Sequence, residues 1–455
     1  MYRAKQKSMR ILDMTQGNSI KLILTFAIPL FIGNVFQQIY SMVDTMVAGY
    51  NLGDGAIAAI GATSALYGLI IDFAVGLNSG CAIVVTQSFG AHDEKRLRAS
   101  IAGMMEIDTA ITILLTVLSL AFLRPLMRFL NTPIGLFEDA YAYIAIICAG
   151  MAATIAYNLF AGILRAFGNS RTALYFLIFS SALNVGLDIV LVRQMHSVAG
   201  AALATVIAEA ISAVLCGVYV FCNYSTFLPK KKDFRVGGKM LMELFTGGIA
   251  MALMYCVVDL GSVIFSRANN LLGDGFISAH TTSRRIINIM SQPMSTVSTS
   301  ASTFVGQNWG AKQWERIQKA LRQVMGMQIL WSLISIAIIY AFGDALVHLT
   351  TGSSDPEMIG NAVYSLRWHL SFFPALGCLI ALRTSMQAMG WKIAPILSSC
   401  IELGMKILSA AFLIPHLGFV GTCITEPITW TVMLAFLATA YVFGGKKRKI
   451  MVSQQ

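Results

Sequence analysis

Charge is scarce in this chain. Only 12% of its 455 residues are Asp, Glu, Lys or Arg, whereas soluble domains carry about 25%. With 56% of the residues hydrophobic, there are more apolar side chains than one water-exposed body can hide, and the natural solvent is lipid. Acid is scarcer than base, 22 residues against 33 for a net charge of +11. This excess does not point to nucleic acid. The basic residues fall between the apolar runs, where an anionic inner leaflet meets them. The eight cysteines form no C-x-x-C pair and lie mostly within apolar runs, which argues against a zinc site or a disulfide framework. They read as small packing residues. The six histidines are scattered without ligand spacing, so a membrane enzyme with a metal set is not indicated and no cofactor is expected. The first apolar run, from about Leu22, lacks a small-residue cleavage site and reads as a retained helix.

What is present is a series of apolar runs long enough to span a bilayer. Twelve are expected, at 22–48, 56–88, 99–123, 140–164, 173–192, 198–223, 241–266, 276–307, 318–342, 359–386, 393–413 and 419–443. The second and eighth are long enough to tilt or to project beyond the bilayer. An even number puts both tails on one side. Twenty-four of the 33 lysines and arginines fall on that side, including Arg3, Lys5, Lys7 and Arg10 at the start and Lys446, Lys447, Arg448 and Lys449 at the end, and only four on the other. The bias makes both termini cytoplasmic, in the plasma (cell inner) membrane.

The chain also repeats itself. LGDGAIAA at Leu52 returns as LGDGFISA at Leu272, and VTQSFGAHDEKRLR at Val85 returns as VGQNWGAKQWERIQ at Val305, both 220 residues on. RAFGNSRTA (165–173) faces QAMGWKIAP (387–395) at an offset of 222. The expected architecture is all-α: a six-helix bundle over 1–222, a basic cytoplasmic linker over 223–240 and a second bundle over 241–455 with a basic tail. A six-helix unit keeps its orientation when it repeats, so the halves are expected to be related by a pseudo-twofold axis along the membrane normal, as in transporters that rock one half against the other.

Carboxylates inside such spans need a cavity or a partner. The candidates are Asp44, Asp72, Glu106, Asp108, Asp188, Glu209, Asp259, Glu402 and Glu426. Glu402 and Lys406, four apart, suit an intrahelical ion pair. Glu106 and Asp108 lie near a cytoplasmic end and suit snorkelling or pairing there. Asp72 sits mid-span, and Asp259 precedes Arg267 by two turns, which fits either a salt bridge or a site. Asp44 and Asp188 each lie roughly 6 Å below the outer end of a span at about 1.5 Å per residue. Asn184 is one turn below Asp188, and Thr205 lies about two turns into the sixth span, so four oxygen-bearing side chains share a depth band. Two carboxylates, an amide and a hydroxyl suit a hard cation such as Na⁺. The two acids suit a shared proton equally well, and Asn184 with Asp188 also suits plain hydrogen bonding between helices.

These segments resemble the multidrug and toxic compound extrusion (MATE) transporters. The resemblance rests on VDTMVAGYNLG (43–53), TQSFGAHDEKR (86–96), LRAFGNS (164–170), LNVGLDIVL (183–191), VAGAALAT (198–205), SAHTTSRRI (278–286) and GQNWGAK (306–312), in that order on a six-plus-six repeat. It implies a V-shaped pair of bundles around a central cavity, with efflux of lipophilic organic cations or drugs driven by inward Na⁺ or H⁺. It also implies that Asp44, Asn184, Asp188 and Thr205 couple the cation. Asp72, Asp259, Gln37 and Arg284 are the remaining cavity or secondary candidates, with Arg284 or Arg285 a partner for Asp72. The tenth span carries no acid, which departs from some members of the family and places coupling in the first half. Pro29 gives the first helix a place to bend. The expected partners are small cationic or amphipathic molecules and membrane lipid, with the protein a monomer. A lipid-linked precursor flippase of the same superfamily is the nearest alternative, and a passive channel or receptor a more remote one.

Overall fold

The computed structural model describes residues 11–130 and 132–454, without the side chains of Ser41, Thr45, Asp54, Ala65, Asp274 and residues 445–454. Arg3, Lys5, Lys7 and Arg10 lie outside the described residues, as do the side chains of Lys446, Lys447, Arg448 and Lys449. Every regular element among the described residues is helical. In lipid this is the economical solution, since a helix bonds its backbone N–H and C=O groups within itself.

Among the described residues twelve helical segments follow one another, eleven of them long and apolar enough to cross a membrane when each bent pair counts as one. They are α1 Ser19–Leu52, α2 Gly55–Gly90, α3 Glu94–Phe129, α4 Ile134–Ala149 with Met151–Ala166, α5 Ser170–Met195, α6 Ala199–Tyr224 and α7 Gly238–Leu272. Then come α8 Asp274–Gly310, α9 Trp314–Thr351, α10 Pro356–Ser371 with Phe373–Ala388, α11 Ile393–Leu417 and α12 Phe419–Gln454. The expected runs match these within a few residues, apart from polar extra turns at the ends of some helices such as α3 and α9. Local chemistry sets several starts. Asp93 caps α3 by accepting from the Arg96 amide at 2.9 Å, and Asn169 caps α5 by accepting from Thr172 at 3.1 Å. Asp355 accepts from the Glu357 amide at 3.1 Å, and Pro356 stands at the first turn of α10, where its missing N–H is harmless.

Two spans are broken. α4 bends by 46° after Ala149 and α10 by 50° after Ser371. The residues at the breaks, Gly150 and Phe372, are 222 apart, the offset already visible in the sequence repeat. Pro374 lies just beyond the second break, where it takes no hydrogen bond from the new helix. The repeat also shows in the backbone. Positive φ occurs at Gly53 (83°) and Gly273 (104°), at His92 (55°) and Lys312 (58°), at Gly168 and Gly390 (77° each), and at His196 (47°) and Gly418 (56°). Each pair is separated by the same 220 or 222 residues, so the halves share their turns as well as their motifs.

α8 differs from the rest. It is 37 residues long but too polar to qualify as a span by hydropathy. Its hydroxyls are met within the bundle. Thr296 donates to the Gln292 carbonyl and Ser300 to the Thr296 carbonyl at 2.8 Å each, and Gln328 of α9 donates to Ser298 at 2.8 Å and to the Met294 carbonyl at 3.0 Å. α2 contains one π-helical turn, Gly68–Asp72, which ends on an acid.

The chain forms two compact units, one around Ile28–Cys256 and one around Val257–Gln455 that also takes Gly17–Ala27. The division therefore runs within α1 and α7 rather than through the basic segment between α6 and α7. In the first unit α2 packs on α3 and α4, and α6 packs on α4 and α5. One end of this core is aromatic: Phe167 stands 5.1 Å from Phe89, 5.3 Å from Tyr224 and 5.6 Å from Phe227, ring centre to ring centre. In the second unit α8 packs on α9 and α10, and α12 packs on α10 and α11. Cys81, Cys148, Cys216 and Cys423 are buried, as expected of packing residues, while Cys222 and Cys400 are exposed; all eight are free thiols.

Candidate functional site

The structure brings the four coupling candidates together within the first unit. Asn184 and Asp188 lie one turn apart on α5, both buried. Asn184 donates its amide N–H to the Thr205 hydroxyl of α6 at 3.3 Å. The Asp44 carboxyl on α1 adjoins that of Asp188. Asp188 is 0% exposed, yet its oxygens meet no N–H or hydroxyl donor and have only the Asp44 carboxyl beside them; Asp44 Oδ1 and Asn184 Oδ1 likewise lack a donor. Four buried acceptor oxygens on three side chains therefore lack a donor unless a proton is held between the two acids. Buried carboxylates in that condition are strongly disfavoured unless a positive charge completes them. The donor set, all oxygen and with two acids, fits a hard cation or a shared proton. Among the described residues no three His, Cys, Asp or Glu side chains group as a metal site.

A cavity of about 340 Å³ adjoins this cluster, with Asn184 and Thr205 in its wall. Gln37 from α1 and Asp72 from the π turn of α2 line it, together with Tyr40, Tyr67, Tyr157 and Glu209. Glu209 is a residue that depth reasoning left aside. It stands one turn beyond Thr205 on α6 and accepts a short hydrogen bond from the Thr154 hydroxyl of α4. The four-residue spacing from Thr205 was the available signal, since it places both on one face. The tyrosines could not be identified by pattern, because each comes from a different turn or helix.

Other acids have local partners. Asp108 is not at a solvated end: it is buried 3% exposed and accepts from Asn78 Nδ2 at 2.6 Å, so snorkelling does not describe it. Glu402 does pair with Lys406, at 2.9 Å, with Arg383 at 3.9 Å on its other oxygen. In the second unit Asp259 faces Lys406 and Glu402 of α11, and its Oδ2 has no hydrogen-bond partner. Arg284 reaches Glu426 of α12, placing one guanidinium nitrogen against both carboxylate oxygens. His369 of α10, read from sequence only as one of six scattered histidines, is fully buried with its Nε2 3.5 Å from Glu426.

The MatE family model matches twice, over residues 29–190 and again over 250–412, so each half carries the family pattern. The probable multidrug resistance protein YoeA of Bacillus subtilis is 24% identical over 437 residues, covering 93% of this chain and 94% of that one. YpnP of the same organism, also named a probable multidrug resistance protein, is 27% identical over 393 residues, 84% of this chain and 85% of its own. The multidrug export protein MepA of Staphylococcus haemolyticus is 20% identical over 97% of both chains. Among solved structures, a MATE protein in a bent conformation superposes with a TM-score of 0.88 at 20% identity, covering 97% of this chain and 98% of that one. A MOP superfamily transporter from Pyrococcus furiosus, described by the reverse polarity of its binding pocket, reaches 0.86 over 97% and 98%. The fold, the doubled family pattern and the end-to-end similarity to these relatives agree, and the chain belongs to the MatE family of multidrug and toxic compound extrusion transporters.

Proposed function

We propose that this multi-pass membrane protein is a cation-coupled antiporter that exports lipophilic organic cations or drugs, exchanging them for inward Na⁺ or H⁺ by alternating access, and that it is not an enzyme. The observation that carries the reading is the set of acceptor oxygens on Asp44, Asn184 and Asp188 that lack a donor. A cation arriving from outside satisfies them, offsets one of the two negative charges of the acid pair and draws α1 toward α5 and α6. The adjoining cavity, with Asp72, Glu209 and three tyrosines, suits an amphipathic cation through charge and ring faces. Names of multidrug resistance and export among the relatives support the substrate class. The positive-inside bias supports cytoplasmic termini in the plasma membrane. With that orientation, inward movement of a monovalent cation is favoured by about 2.3 kcal/mol per 100 mV.

The test is ethidium efflux from proteoliposomes under an imposed Na⁺ gradient and, separately, a pH gradient. One of the two gradients should drive efflux, and Asp44→Asn should abolish the gradient dependence. Unchanged gradient-driven efflux in Asp44→Asn overturns the mechanism.

A further inference from the structure

The second unit holds a buried charged cluster that the coupling site does not use. His369 Nδ1 lies 2.7 Å from the carbonyl oxygen of Ser365. A carbonyl only accepts, so Nδ1 carries the hydrogen and donates it. In a neutral ring Nε2 is then a bare lone pair. It faces Glu426 Oε2 at 3.5 Å, and no donor reaches it. Two acceptors confront each other inside a site where the imidazole is 0% exposed. One proton held between them turns that confrontation into an N–H···O bond.

We propose that His369 and Glu426, with Arg284, form a proton-binding site in the second half, separate from the Asp44–Asp188 pair of the first. The proton comes from solution, sits on His369 Nε2 and is donated to Glu426; no other bond changes. Before it binds, Arg284 and Glu426 cancel each other, and afterwards the cluster carries one positive charge. The groups facing it are His280 and Arg284 from α8, Lys406 from α11, and Glu426 and Cys423 from α12. Glu426 favours the added charge. Arg284 and His280 oppose it, and Lys406 opposes it weakly because Glu402 already holds that ammonium at 2.9 Å. α9 directs Tyr340 to Ser371 and Arg367 instead.

The position gives the proton mechanical leverage. His369 is three residues before the α10 break at Phe372, and the Ser283–Ser365 hydroxyl contact, 3.0 Å, ties α8 to α10 one turn earlier. A bond from His369 to Glu426 fastens the first segment of α10 to α12 just ahead of the bend. That this fastening moves with transport rests on the coupling reading above.

The ring of Trp430 lies 5.9 Å from that of His369, edge to face, and an imidazolium quenches a neighbouring indole. Purified protein is therefore titrated from pH 9 to pH 5 by tryptophan emission. A single fall is expected, and it should be lost in Trp430→Phe and in His369→Gln. It should also be lost in Glu426→Gln, whose amide supplies the N–H that the proton otherwise provides. No fall in the wild-type protein, or the same fall in His369→Gln, overturns the site. Ethidium efflux in proteoliposomes under a pH gradient is the second arm. Loss of pH-gradient-driven efflux in His369→Gln supports the transport role, and unchanged efflux overturns it. If the fluorescence step stands while neither ion gradient drives efflux in wild type, the coupling reading fails and the proton site survives.

Discussion

Asp188 leaves both carboxylate oxygens buried without a donor, and that condition has an energetic signature of its own. In the absence of Na⁺ and at alkaline pH the folded state holds this carboxylate uncompensated. Asp188→Asn removes the charge at constant shape, so the variant should be more stable than wild type under those conditions by roughly 1–3 kcal/mol, the usual penalty of a buried partnerless polar group. Thermal unfolding followed without and with saturating Na⁺ checks it: the advantage should vanish or reverse when the ion is added. An advantage that persists unchanged in Na⁺ and at low pH speaks against a cation at this acid. Glu209 makes a second residue-level prediction. Its Thr154 contact is a hydrogen bond that a glutamine can still accept, so Glu209→Gln should fold normally and weaken ethidium binding several-fold, measured by fluorescence titration. Equal affinity would remove Glu209 from the substrate cavity's charge.

At the scale of elements, close helix contacts are made by small residues. A Cβ added at Gly80 of α2 would stand 2.3 Å from the Gly247 carbonyl of α7, against backbone that has no freedom to move. Gly80→Val should therefore destabilise the first unit by about 1–3 kcal/mol or more, the scale of overpacking, and lower the yield of monodisperse protein in detergent. Normal yield and melting temperature would mean that α2 and α7 separate more easily than this contact implies. Left-handed turns offer the opposite change. His196 closes α5 at φ 47°, where its repeat counterpart is Gly418. His196→Gly relieves the Cβ strain of that conformation, a term of about 1 kcal/mol before the glycine's own chain entropy is subtracted. A small rise in melting temperature is the expected reading, and a fall would show that the imidazole contributes contacts outweighing the strain.

For the whole molecule, the doubled plan was legible because it is written in short range signals. LGDG, the QSFGA and QNWGA turns and the spacing of apolar runs each occupy a few adjacent residues, and they return at one offset. The broken α4 and α10 follow the same offset but left no apolar gap, so length alone joined each into one span. Asp44 and Asp188 could be grouped by counting from helix ends, because depth along a straight helix is one-dimensional. Rotation about the helix is not, and there the reading thinned. Asp108 has the same depth in either orientation of its helix face, and only packing shows that it turns toward Asn78. Arg284 and Glu426 lie 142 residues apart, and their meeting depends on how α8 sits against α12, which no local pattern encodes.

α8 carries one more consequence, for how the protein is made. A segment whose serines and threonines are matched by its own carbonyls and by Gln328 of α9 is comfortable only once that neighbour is present. On its own it is too polar to partition from a translocon into lipid as a single hydrophobic segment would. During synthesis α8 emerges before α9, so it has to wait at the channel or at the bilayer surface until α9 arrives and accepts it. A chain cut after α8 should leave that helix uninserted, and a glycosylation site placed beyond it should report the failure. Extending the chain through α9 should restore insertion. The polar helix thus sets an order of assembly, with the ninth segment acting as the partner that admits the eighth.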